Sequence, residues 1–75
     1  MTPKLLTECG CALYGERWQS EIARDLGVTD RTVRRWLAGD QPVPSGVAVD
    51  LLRLLTERAS DIDDLLPRLK RAGAP

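Results

Sequence analysis

Histidine and phenylalanine are absent from this 75-residue chain. The lack of histidine removes the commonest general base. The aromatics are Tyr14, Trp18 and Trp36 alone. There are two cysteines, Cys9 and Cys11; a structural zinc site usually takes four Cys or His ligands, so one chain cannot supply it. Their C-x-C spacing also differs from the C-x-x-C of redox motifs. On a helix, residues two apart point away from each other, so the expectation is one half-buried cysteine and one exposed reduced thiol. No nucleophile–base pair and no glycine-rich phosphate loop is present. No apolar run approaches the ~20 residues that cross a bilayer, and Met1–Leu6 lacks the basic start and apolar stretch of a signal peptide. The expected compartment is the cytoplasm. A chain of this size buries roughly 60% of the surface its unfolded form exposes, leaving no second layer to shield a deep pocket. An enzyme, a cofactor, a metal and a small-molecule effector are therefore not expected.

Neither sign of charge is in excess: eleven Lys and Arg stand against eleven Asp and Glu. Nucleic-acid binders are usually basic, so the total argues against one, but the distribution is uneven. Over residues 17–35, Arg17, Arg24, Arg31, Arg34 and Arg35 face Glu21, Asp25 and Asp30, five against three, a net of +2. Over residues 50–66, Arg53 and Arg58 face Asp50, Glu57, Asp61, Asp63 and Asp64, two against five, a net of −3. Arg68, Lys70 and Arg71 follow. The chain is dipolar, with a basic middle and an acidic stretch after it.

Leucine is the commonest apolar residue, and the apolar spacing is helical throughout. Thr2-Pro3 reads as cap and first residue of a helix carrying Leu5, Cys9 and Leu13, with Leu6 and Ala12 alongside, weakened by Gly10 and ended by Gly15. A second pattern runs from Trp18 to Leu26 with Ile22, Ala23 and Leu26 on one face, and Trp18 stapling its start. A third runs from Thr29 to Ala38 with Val33, Trp36 and Leu37 on one face, closed by Gly39-Asp40. Gln41–Pro44 reads as an extended loop. Ser45 then caps a fourth helix carrying Val47, Ala48, Leu51, Leu52, Leu54 and Leu55, apolar over more than half its circumference and so expected to be covered on two sides. Ser60 and Asp63 match a capping box for a fifth helix, with Ile62, Leu65, Leu66 and Leu69 on it and Pro67 kinking it or delaying its start. No strand alternation, repeat or linker is visible. The expectation is one all-α domain over residues 1–75, built from four to five short helices, with the C-terminal ones over 45–72.

Residues 19–38, QSEIARDLGVTDRTVRRWLA, carry the functional signal. Gly27 sits just past a helix end, where a left-handed conformation costs glycine nothing. Val28 can fold back onto Ala23, and Thr29 restarts a helix as its cap, with Asp30 at the positive end of the new dipole. Two short helices joined at a steep angle by a turn of three or four residues containing glycine form a helix-turn-helix signature. The spacing Ile22-Ala23, Leu26-Gly27-Val28, Val33, Trp36 resembles Cro/repressor-type transcriptional regulators. Arg17–Gly39 is particularly similar to the small regulators of phage and mobile elements, including anti-CRISPR-associated repressors. The motif covers about a third of the chain. The resemblance implies a lambda-repressor-like fold and binding of double-stranded DNA.

The third helix suits that role. At about 100° per residue, Val33, Trp36 and Leu37 share one side while Arg31, Arg34, Arg35 and Ala38 share the other. Arginine can grip guanine O6 and N7 with two bonds. The resemblance implies that Thr29, Asp30, Arg31, Arg34, Arg35 and Ala38 line DNA, with Gln19 and Ser20 holding phosphates; Arg17 could do the same. Read instead as a solvated face, Asp30 and Arg34 make a favourable i, i+4 pair. Arg31 has no such account, being one turn from the like charge of Arg35 and near the positive end of the dipole. The leucines of 51–69 read as core first, and equally as a self-association surface with Leu54, Leu55, Leu65 and Leu69 as its candidates, which would make the chain a homodimeric repressor on an inverted-repeat operator. The competing reading is an antitoxin-like interaction module whose acidic C-terminal half binds a protein partner.

Overall fold

In a computed structural model, which describes residues 1–74, Thr2 opens the first helix. Its hydroxyl accepts from Leu5 N–H at 3.1 Å, and Pro3 follows at the first helical position. Helix α1 (Pro3–Tyr14) ends where Gly15 takes φ 78°, a conformation glycine enters without a Cβ penalty. A 3-10 turn over Gly15–Arg17 leads into α2 (Trp18–Leu26). Helix α3 (Asp30–Ala38) and α4 (Ser45–Ala72) complete the chain. Every regular element is helical among the described residues.

The core is one cluster drawn from all four helices: Leu6 and Leu13 of α1, Trp18, Ile22 and Ala23 of α2, Val33 and Trp36 of α3, Val47 and Leu51 of α4. On α1 the buried stripe is Leu6, Gly10 and Leu13, not the expected Leu5, Cys9 and Leu13. Leu5 is 48% exposed and Cys9 half-buried, while Cys11 is exposed. The stripe is rotated because Gly10 is a contact position. A β-carbon on Gly10 would overlap Trp18 Cε3 and Cδ2 and stand 2.9 Å from Cγ. The glycine that weakens α1 as a helix is what lets the Trp18 ring lie against its backbone.

The α2–α3 connection closes as its residues dictate. Gly27 is left-handed at φ 72°, its N–H returns to Arg24 O at 3.2 Å, and Val28 N–H reaches Ala23 O at 2.9 Å. This is the paired C-terminal bonding that satisfies a helix's last carbonyls. Gly39 ends α3 the same way, with φ 80° and Asp40 N–H on Arg35 O at 3.0 Å.

The C-terminal region departs from expectation. The expected fourth and fifth short helices are one continuous helix of 28 residues. Ser60 and Asp63 lie on its solvated surface, where nothing turns the chain, and Ala59-Ser60 contains no residue that breaks a helix. Pro67 sits inside it; the missing N–H removes one bond, to the Asp63 carbonyl, and the helix runs on. Ser45 is the first helical residue rather than the cap: Pro44 precedes it in extended conformation and makes no side-chain cap bond. At ~1.5 Å per residue α4 is about 42 Å long, which sets the 55 × 21 × 20 Å shape. Only its first half meets the core. Arg58 marks the end of that half, donating to Leu13 O of α1 at 2.7 Å. All described residues from Thr56 onward are exposed, so α4 is covered on one side at its start and on none beyond.

Alanine is normally favoured over glycine inside a helix by about 0.8–1.0 kcal/mol. At Gly10 the sign should invert. Gly10→Ala is expected to destabilise the fold by about 1–3 kcal/mol through overlap with Trp18. Thermal or urea unfolding checks this; an alanine variant more stable than wild type would mean that Trp18 does not pack there.

Candidate nucleic-acid interface

Helix α3 is divided along its length. Val33 and Trp36 are buried, 0% and 3% exposed, and hold the helix on the core, with Leu37 packed beside them. Arg31, Arg34 and Ala38 are exposed on the far side, and Arg35 is half-buried at its edge. Burial of one face therefore dictates that the arginines project outward. The start of the helix is pinned by Thr29, whose hydroxyl accepts from Thr32 N–H at 3.2 Å and lies 3.0 Å from the Thr32 hydroxyl.

The N-terminal end of α2 lies against the start of α3. Ser20 donates to the Asp30 carboxylate at 3.0 Å. Asp30 is thus held by Ser20 and forms no ion pair with Arg34. Ion pairs among the described residues are Arg24–Glu21 and Arg53–Glu57; Arg17, Arg31, Arg34 and Arg35 belong to neither. Favourable local pairing, which could have accounted for Arg34 as a solvated side chain, is not formed.

The carboxylates of α2 are engaged elsewhere. Arg24 pairs with Glu21, three residues before it. Asp25 accepts from the Tyr14 hydroxyl, joining the ends of α1 and α2. Four arginines (Arg17, Arg31, Arg34, Arg35) and one aspartate (Asp30) remain among the sequence-proposed residues of this face. Arg17, Gln19 and Ser20 border a shallow open groove together with Glu16 and Glu21. The two glutamates put negative charge beside the proposed phosphate-holding residues, although Glu21 is paired with Arg24.

The nine residues read as a DNA-contacting set lie on the 3-10 turn (Arg17), the first turn of α2, the α2–α3 turn (Thr29) and α3, with Ser20 and Asp30 bonded to one another. The four leucines read as a self-association set do not behave alike. Leu54 and Leu55 are half-buried and packed on the chain's own core, because the first half of α4 turns that side toward α1. Leu65 and Leu69 are 47% and 66% exposed. No group of three or more potential metal ligands occurs among the described residues, and none of their helices is long and apolar enough to cross a membrane. No family model, curated protein or solved structure matches the chain.

Two side chains titrate away from their ordinary values. Burial, with the adjacent Glu8 charge adding to it, raises the Cys9 thiol, keeping it protonated and a poor nucleophile at neutral pH. Tyr14 is pushed up to about 12, first by burial and then by its bond to Asp25. A phenol whose folded pKa exceeds its unfolded value of about 10 contributes stability in full below pH 10 and loses it as pH rises toward 12. Tyr14 is the sole tyrosine, so an ultraviolet phenolate titration reads it alone. The midpoint should lie well above that of free tyrosine and fall back toward it in Asp25→Ala; an ordinary midpoint in the folded wild type would remove the Tyr14–Asp25 link.

Proposed function

We propose that this chain is a sequence-specific, double-stranded-DNA-binding regulator in which α2, the Gly27–Thr29 turn and α3 act as a helix-turn-helix. One observation carries the reading: Arg31 and Arg34 stand exposed and without an ion pair on the face of α3 opposite its buried residues. Their charge has no intramolecular use, and an anionic partner supplies one. A helix with an apolar back and projecting donors is what major-groove readout requires. Arg31 and Arg34 read base edges, Arg35 supports them from the edge of the face, and Ala38 leaves room for close approach. Arg17 and Gln19 take phosphates at the start of α2. Ser20 and Asp30 fix the two helices relative to one another. The fold is of the lambda-repressor-like kind that the sequence resembles, and the chain acts as a cytoplasmic homodimer, repressing by occupying an inverted repeat. The half-site centres of that operator lie about 10 base pairs apart, or a multiple of that.

The exposed acidic and apolar half of α4 favours a second reading, a module that captures a protein partner. The two separate by salt: DNA affinity falls steeply as counterions are added. Replacing Arg31 or Arg34 with Ala should weaken specific DNA binding by about 1–3 kcal/mol and relax one base position. Stability should hold, and for Arg31→Ala rise slightly as the like charge of Arg35 is relieved. Selection of bound fragments from a random duplex library supplies the site, and a binding titration reads the change. Full affinity in both variants would remove α3 as the reading helix.

A further inference from the structure

Along α4, Ala48, Leu52, Leu55, Ala59, Ile62, Leu66 and Leu69 recur at alternating steps of four and three residues. That is a heptad seam over three repeats, with a period of 3.5 rather than 3.6. Apart from Leu55, which is half-buried against the core, the seam is not the face α4 turns to its own core. Val47 and Leu51 are buried and lie about 100° round the helix from the seam's centre line. The seam itself is open, with Leu52 68%, Ile62 50%, Leu66 50% and Leu69 66% exposed. Isolated exposed leucines need no explanation, but a contiguous apolar line of about 32 Å does.

We infer that this seam is covered by the same seam of a second copy, forming a parallel, in-register two-stranded coiled coil. The period selects the class of occupant, since only another helix supercoiled at the same pitch keeps every seam position in contact. The flanking residues select this chain and the parallel orientation. In parallel register Arg58 faces the partner subunit's Asp63, once on each side of the two-fold axis, and Leu65 faces the partner subunit's Lys70, whose aliphatic stem can cover it. In a fully overlapping antiparallel pair Arg58 would face leucine and Asp63 would face threonine, so the charge match is lost. Arg58 gives one N–H to Leu13 O and retains the other donors of its guanidinium.

At the body end, the seam continues into an apolar groove between α1 and α4, lined by Met1, Leu5, Cys9 and Leu52 among others. A parallel partner brings its own Val49 to this side, which accounts for a valine 68% exposed on the free chain. The antiparallel alternative would send the two bodies to opposite ends of the paired helices. The parallel one sets them side by side at one end. The coiled coil supplies the homodimer that DNA reading calls for, yet rests on α4 alone and is tested without DNA.

Sedimentation equilibrium at micromolar concentration should give a dimer. Ile62→Lys, outside the core, should convert it to a monomer with its helical circular dichroism retained. In a Cys9→Ser, Cys11→Ser background, Leu66→Cys should cross-link to dimer on oxidation with copper–phenanthroline, whereas Arg53→Cys, off the seam, should not. A monomeric wild type overturns the inference, as does a dimer indifferent to Ile62→Lys. Cross-linking of Leu66→Cys only when mixed with Leu55→Cys overturns the parallel orientation.

Discussion

The arrangement hangs on one contact, the Trp18 ring against the backbone of Gly10. A tryptophan carries a large apolar area that must be removed from water. At the first residue of α2 it can be removed only if α1 lets the ring close in. With no Cβ at Gly10 the ring reaches the helix backbone, and Trp18 falls to 4% exposed. This anchors the start of α2, and the Tyr14–Asp25 bond holds the same two helices near the end of α1. Once α2 is placed, Ile22 and Ala23 form the floor on which Val33 and Trp36 of α3 pack.

That chain of placements makes the exposed face of α3 a consequence of the core. Two buried side chains, Val33 and Trp36, with Leu37 beside them and the Ser20–Asp30 bond at its start, are enough to orient the nine-residue α3. Its outward arginines are free because the nearby carboxylates already have partners: Glu21 with Arg24, Asp25 with Tyr14, Asp30 with Ser20. A chain of zero formal charge thus shows a locally cationic surface. The electrostatic character of a small domain lies in how its charges are paired, and the sum says little about it.

Helix α4 has two different lives along its length. Up to Arg58 it is the fourth wall of the core, and beyond it meets no other part of the described chain. A helix that continues about 20 Å past its last tertiary contact has to draw its stability from its own sequence and from whatever covers it. Four of the seven seam positions, Ala59, Ile62, Leu66 and Leu69, lie on this stretch, while Pro67 lies off the seam.

Much of this was legible in the residues alone, and the legible part is local. The caps at Thr2 and Thr29 and the glycine stops at Gly15, Gly27 and Gly39 follow from hydrogen bonds that span three to five residues, so a short window contains every participant. The division of α3 into Val33-Trp36 and Arg31-Arg34 is equally local, because helix periodicity decides it. The role of Gly10 was not legible: its partner lies on another helix, and in isolation a glycine in a helix reads as weakness. Leu54 and Leu55 looked equivalent to Leu65 and Leu69 on a helical wheel. Only the position of α1 beside the first half of α4 separates half-buried from exposed. Ser60 and Asp63 carry the composition of a helix start, but the same residues suit a solvated helix surface, and the choice is made by whether anything downstream packs back on the core. Nothing does, and the chain runs straight. Local hydrogen bonding and periodicity were thus determined by the sequence itself, whereas burial, helix continuity and the pairing of charges depended on contacts between residues far apart along the chain.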